Sequence, residues 1–354
     1  MHGVFFLDPT TALVANASRE QASDKEEAIS EGARRGMNQI KQIHAFTLRN
    51  GLDDIQALVL KLLQVPNLPY AHALLRSHPH PPPTFLYNKL FQAYARGAGN
   101  AFEPCAALFA RMRRPPNPHS FVFLFSACAA FARPAHGLAL HARFLLSGLP
   151  FDAFIATSLL DLYAKSCLLD SARRLFDELP FRDVAMWNSL IGGYSRWGEL
   201  DEARELFETM PLRNVVSWTS MISGYAQNGR YEEAVRVFSR MWDEADVKPN
   251  EVTLASVLPA CAHLGAMELG EKIENYARQK GLMGNVFVRN ALLEMYGKCG
   301  NIDRARKVFD EMGARRNLCS WNSMIVALAV HGMWRQGLDL FHEMRVCHFY
   351  TALF

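Results

Sequence analysis

The chain has 354 residues, half of them apolar and 21% charged, a balance that excludes a largely disordered protein. Its 38 basic and 35 acidic side chains leave a formal charge of +3, too little to grip nucleic acid by charge alone. No run approaches the roughly 18 apolar residues that a membrane span requires, and 354 residues exceed what one compact core comfortably holds, so the chain must split or stack repeats.

Residues 1–36 set Asp8, Glu20, Asp24, Glu26, Glu27 and Glu31 against Arg19, Lys25, Arg34 and Arg35. This reads as a disordered segment or an atypical targeting region, because a transit peptide is rich in Arg and Ser and poor in acids. Residues 37–83 contain Ile43-His44-Ala45 and Asn50-Gly51-Leu52. The pattern returns as Leu140-His141-Ala142 and Ser147-Gly148-Leu149, and once more before Gly281 with Glu274 for the histidine. Residues 37–83 therefore read as a degenerate pair of repeats.

Beyond residue 84 the repetition is explicit. Trp187-Asn188-Ser189-Leu190-Ile191, Trp218-Thr219-Ser220-Met221-Ile222 and Trp321-Asn322-Ser323-Met324-Ile325 align without gaps, each followed by Gly198, Gly229 or Gly332. A second half follows as Ala172…Phe176…Leu179, Ala203…Phe207…Met210, Ala234…Phe238…Met241, Ala305…Phe309…Met312 and Gly337…Phe341…Met344. Spacings of four and three put these residues on one helical face. The glycine between the halves suits a tight helix–helix turn. Each unit is thus a helical hairpin whose apolar stripe needs neighbours to cover it, which predicts an all-α solenoid with Phe207, Phe238 and Phe309 in its core. Seven cysteines without a CxxC pair suggest neither a disulfide framework nor a zinc site, and Cys128 and Cys261 read as small buried hydrophobes.

These residues, with the Lys248-Pro249-Asn250 ending, resemble the plant pentatricopeptide repeats, and within them the subclass mixing standard, long and short units. The rival tetratricopeptide has a fixed period of about 34 and places its aromatic, Gly and Ala residues differently. The resemblance implies a right-handed α-solenoid. Its pattern sets units at 84–117, 118–152, 153–183, 184–214, 215–250, 251–285 and 286–317, with a partial unit at 318–345 and a non-repeat tail at 346–354.

The resemblance further implies single-stranded RNA as the partner, read about one base per repeat. One reader follows the first-helix aromatic position and the other ends the unit. The implied pairs are Asn88 with Asn117, Thr157 with Asp183, Asn188 with Asn214, Thr219 with Asn250, and Asn290 with Asn317, with Asn322 unpaired. Thr with Asp then favours guanine, Thr with Asn adenine, and Asn with Asn a pyrimidine. Val122/Asp152 and Ala255/Asn285 lack a polar first reader and should discriminate poorly. Three residues before a reader, Phe85, Phe154, Val216, Val252 and Phe287 occupy the position that wedges bases in the family. The competing reading makes Asn188 and Thr219 helix caps and Asn214 and Asn250 turn residues.

No HxE with CxxC, Walker loop, nucleophile elbow or HExxH occurs, so the chain is expected to be no enzyme and to need no cofactor or small-molecule substrate. An editing deaminase or editing factor would act in trans. Mitochondrion or plastid follows from the resemblance alone. Matching stops at Met344-Arg345, which reads as the truncated end of a longer array. Two further readings stand beside RNA binding: a protein-interaction scaffold, and a non-functional fragment.

Overall fold

In a computed structural model, the structure describes residues 38, 42, 55–64, 68–77, 80–96, 102–112, 114–243 and 246–351. The 1–36 segment, the Ile43-His44-Ala45 and Asn50-Gly51-Leu52 signature, and residues 352–354 of the tail lie outside them. The chain divides into two compact units, Met1–Pro150 with His348–Phe354, and Phe151–Cys347.

Among the described residues every regular element is helical. The first unit contains α1 (Ile55–Gln64), α2 (Leu68–Ser77), α3 (Thr84–Ala95), α4 (Phe102–Ala110), α5 (Pro118–Ala130) and α6 (Pro134–Leu146). Then come α7 (Ala153–Lys165), α8 (Leu169–Glu178), α9 (Val184–Arg196), α10 (Leu200–Thr209), α11 (Val215–Gln227) and α12 (Tyr231–Asp243). The last are α13 (Glu251–Leu264), α14 (Met267–Gln279), α15 (Val286–Lys298), α16 (Ile302–Met312), α17 (Leu318–Val330) and α18 (Trp334–Thr351).

In the second unit the odd-numbered helices pack one on the next from α7 to α17, and α8, α10, α12, α14 and α16 each pack on the two flanking odd helices. Within the first unit α1, α3 and α5 form the corresponding layer. Small residues set the close spacing. A Cβ added to Gly193 of α9 would stand 2.4 Å from the Ala164 Cβ of α7, and one on Gly224 of α11 would stand 2.6 Å from the Ser195 Cβ of α9. Neither position has room for a side chain.

The even helices supply the core stripe. Phe176, Phe207, Phe238 and Phe309 are buried, as the spacing predicts. Phe176, Phe207 and Phe309 meet Trp187, Trp218 and Trp321 of the next odd helix edge to face, at centroid distances of 4.7, 4.9 and 5.0 Å. Cys128 and Cys261 are buried too, and burial pushes both thiols up to about 12, which leaves them inert.

Three arginines close this joint, and the sequence reading passed over them. Arg182, Arg213 and Arg316 donate through Nε to the carbonyls of Phe176, Phe207 and Phe309 at 2.7, 2.7 and 3.1 Å. Their guanidinium groups lie over the same rings at 4.9, 4.9 and 4.1 Å. Each therefore bonds a carbonyl of the last helical turn and covers the ring beneath it. Their signal is the recurring dipeptide Arg182-Asp183, Arg213-Asn214 and Arg316-Asn317.

The turns hold one surprise. Gly198, Gly229 and Gly332 take φ of 84°, 74° and 77°, the left-handed turn expected of them. Ala132 and Cys167 occupy the same turn at φ 49° and 61°, at a cost of about 1–2 kcal/mol each. The Glu274 variation also has a structural reason. Its carboxylate is buried and accepts from Tyr296 Oη, Arg278 Nε and Arg304. Burial alone would raise its pKa, but the bonds from Tyr296 and Arg278 and the charges of Arg278 and Arg304 hold it low.

Candidate nucleic-acid interface

The odd helices carry the candidate readers. Asn88, Thr157, Asn188, Thr219, Asn290 and Asn322 are each the fifth residue of their helix, inside α3, α7, α9, α11, α15 and α17. Asn188 and Thr219 are therefore not helix caps, contrary to the competing sequence reading, because their helices start four residues earlier, at Val184 and Val215. The residue ending each unit, by contrast, is a cap. Asn117, Asp183, Asn214, Asn250 and Asn317 accept through Oδ1 from the backbone N–H of the third helical residue at 2.8–3.0 Å. Asp152 caps α7 and Asn285 caps α15 in similar ways.

This cap geometry brings three pairs into direct contact. Asn88 Nδ2 donates to Asn117 Oδ1 at 3.1 Å, Asn188 Nδ2 to Asn214 Oδ1 at 3.3 Å, and Asn290 Nδ2 to Asn317 Oδ1 at 3.2 Å. Thr219 and Asn250 are joined through one intermediary: Thr219 Oγ1 lies 2.7 Å from Thr253 Oγ1, which reaches Asn250 Oδ1 at 2.9 Å. Thr157 and Asp183 are not hydrogen-bonded to each other. Thr157 Oγ1 instead donates to the Ala153 carbonyl of its own helix at 2.8 Å.

The five candidate wedge positions share one property. Phe85, Phe154, Val216, Val252 and Phe287 are 48%, 70%, 55%, 60% and 74% exposed, large apolar side chains left in solvent at a recurring position. Val216 and Val252 line one groove with the candidate readers Thr219 and Asn250. A cavity of about 540 Å³ is lined by Arg196, Val216, Thr219, Asn250 and Val252, drawn from α9, α11 and α13 with the cap before α13. A second, of about 360 Å³, holds Asn322 beside Lys298 and His331. In the 286–317 unit the aromatic position is Arg289, buried, with Nη1 donating to the Glu311 carbonyl at 2.8 Å. Burial lowers its pKa.

A further set of links tunes the same layer. Trp197 Nε1 donates to the Ala164 carbonyl and Asn228 Nδ2 to the Ser195 carbonyl, both at 2.8 Å, while His331 Nε2 meets the Gly297 carbonyl at 2.7 Å. Each residue closes one odd helix and satisfies a carbonyl near the end of the preceding one, which holds successive first helices in register. Among the described residues no group of three His, Cys, Asp or Glu side chains could hold a metal ion.

Comparison with known proteins agrees with this architecture. The PPR repeat model matches residues 154–184, 185–215, 287–316 and 319–349, and the PPR repeat family model matches 213–263. A pentatricopeptide repeat-containing protein of Arabidopsis thaliana is 53% identical over 309 residues, covering 87% of this chain and 60% of that protein. The chain thus spans less than two thirds of that relative's length. Another from the same plant, described as chloroplastic, is 40% identical over 315 residues, covering 87% of this chain and 68% of the relative. The crystal structure of the pentatricopeptide repeat protein PPR10 from maize superposes with a TM-score of 0.59 at 21% identity, covering 96% of this chain and 54% of that one. With hairpin, turn, stripe and relatives in agreement, the chain belongs to the pentatricopeptide repeat family.

Proposed function

We propose that the first-helix layer binds single-stranded RNA and reads it one base per hairpin. The observation that carries this is the bonding of the pairs. Repeats of this family read a base with two or three side chains, and here the cap bond decides which atoms remain to do so. In Asn117, Asn214, Asn250 and Asn317 the cap consumes Oδ1 and leaves the Nδ2 protons.

The base identities that the family resemblance implies have a physical rationale in what is left over. Asn with Asn offers mainly amide protons, which suits the acceptors on the edge of the pyrimidine that the resemblance implies. Thr253 spends its proton on Asn250, so Thr219 donates to Thr253 and keeps its lone pairs. Thr219 with Asn250 then offers an acceptor and a donor, the complement of adenine's Watson–Crick edge. Thr157 spends its proton on Ala153, and Asp183 adds a carboxylate oxygen, so that pair only accepts and suits guanine N1–H and N2–H₂.

From residue 84 the order, 5′ to 3′, is pyrimidine, any, G, pyrimidine, A, any, pyrimidine. The seven units from 84–117 through 286–317 each take one base of this order, Asn322 of the partial 318–345 unit meets the next base without a second reader, and Phe85, Phe154, Val216, Val252 and Phe287 stack between bases. Bound RNA is then a marked site in a mitochondrial or plastid transcript. It is either protected or presented to an editing deaminase or editing factor in trans. Purified protein is expected to bind an RNA of this order far more tightly than the same RNA annealed to its complement, measured by fluorescence anisotropy. Equal affinity for both, or none, would overturn the proposal.

A further inference from the structure

Three of the polar first readers, Asn88, Thr219 and Asn290, bond a buried hydroxyl that no base-reading pair includes. Ser120, Ser217, Thr253 and Ser320 are the third residues of α5, α11, α13 and α17, and all four are fully buried. Ser120 Oγ donates to Asn88 Oδ1 at 2.6 Å and Ser320 Oγ to Asn290 Oδ1 at 2.7 Å. Thr253 Oγ1 lies 2.7 Å from Thr219 Oγ1. Ser217 differs: its hydroxyl bonds only the Asn214 cap, donating to Oδ1 at 3.1 Å and accepting from the backbone N–H at 3.2 Å, and Asn188 Oδ1 is buried without a partner.

The sequence pairs the two positions in the same way. Asn88, Asn188, Thr219 and Asn290 are followed by Ser120, Ser217, Thr253 and Ser320. The apolar Val122 and Ala255 are followed by the apolar Ile155 and Val288. Thr157, followed by Met186, satisfies its own hydroxyl on Ala153. A capping box alone explains why a hydroxyl might bond the cap backbone, but not why it tracks the polarity of the reader before it.

We propose that Ser120, Thr253 and Ser320 are positioning residues for base selection. Their hydroxyls fix which face of the reader's amide or hydroxyl is spent inside the protein and which is left for RNA. The idea rests on the base-reading proposal and adds a determinant to it. A serine proton on Oδ1 holds the Asn88 and Asn290 amides in one orientation, with Nδ2 toward the cap asparagine. Without that bond the amide can turn over and exchange donor for acceptor, and discrimination is lost while the side chain stays in place. It follows that two hairpins with the same Asn–Asn pair read unequally: the 286–317 unit sharply, and the 184–214 unit loosely.

The test measures, for wild type, Ser320→Ala, Ser320→Thr and Ser120→Ala, the affinity ratio of cytosine over adenine at each base of the predicted RNA. Wild type should discriminate more at the 286–317 base than at the 184–214 base. Ser320→Ala should lower the ratio at the 286–317 base about fivefold, one hydrogen bond's worth, and leave the others unchanged. Ser320→Thr should restore it, and Ser120→Ala should act only at the 84–117 base, which keeps the test open if Ser320→Ala fails to fold. Unchanged ratios in the folded alanine variants overturn the positioning role and leave base reading intact. Wild type that binds RNA without any preference at these bases overturns both.

Discussion

Phe207→Ala is expected to destabilise the second unit by about 3–5 kcal/mol, the range for truncating a buried phenylalanine. The ring is 1% exposed, and three things depend on it. It carries the stripe of α10, it meets Trp218 edge to face at 4.9 Å, and it lies 4.9 Å beneath the Arg213 guanidinium. Alanine leaves a cavity that the Trp218 and Arg213 side chains cannot fill without giving up their own bonds. Because repeats couple mainly to their neighbours, the loss weakens the joint between α10 and α11 first. Urea unfolding followed by far-UV circular dichroism measures it. Leu212→Ala, at a position 75% exposed in the same junction, should change stability by less than about 0.5 kcal/mol.

The double change Phe154→Ala with Phe287→Ala should leave the melting temperature unchanged and weaken binding of the predicted RNA by about thirtyfold or more. Both rings are over two thirds exposed, at 70% and 74%, so folding gains little from them. Stacking against a base contributes about 1–3 kcal/mol per aromatic, and the lower bound for two gives the thirtyfold figure. Anisotropy titration beside Phe181→Ala, an exposed phenylalanine outside the first helices, separates stacking from general loss of apolar surface.

Much of this was open to reading in the residues, for a physical reason. A repeat must present the same stripe to each neighbour, so Trp187, Trp218 and Trp321 and the phenylalanines that meet them recur in fixed register. The burial of Phe207, Phe238 and Phe309 and of Cys128 and Cys261 followed from that periodicity. What escaped depends on contacts between units. Arg182, Arg213 and Arg316 look like ordinary surface charge until the helix end they close is in view. Ser120 and Ser320 look like capping residues, and only their distance to the reader one hairpin back shows a second partner. Asn188 and Thr219 could be taken for caps because sequence leaves a helix start uncertain by a few residues. The observed starts at Val184 and Val215 put both residues within the helix. Ala132 and Cys167 show the reverse case, a left-handed turn that composition alone would reserve for glycine.

The central claim is that the paired side chains read bases, and exchanging the two second readers tests it most directly. Asp183→Asn and Asn250→Asp, made together, convert an acceptor-only pair into one with a donor and do the opposite to its neighbour two hairpins on. Affinities of wild type and the double variant are measured for the predicted RNA and for one with its G and A exchanged. The predicted result is a preference that reverses, with each protein favouring its own RNA by about tenfold or more, as expected when two bases are mismatched in hydrogen bonding. Equal binding of both RNAs by both proteins would contradict the claim, leaving Asp183 and Asn250 as helix caps and nothing more.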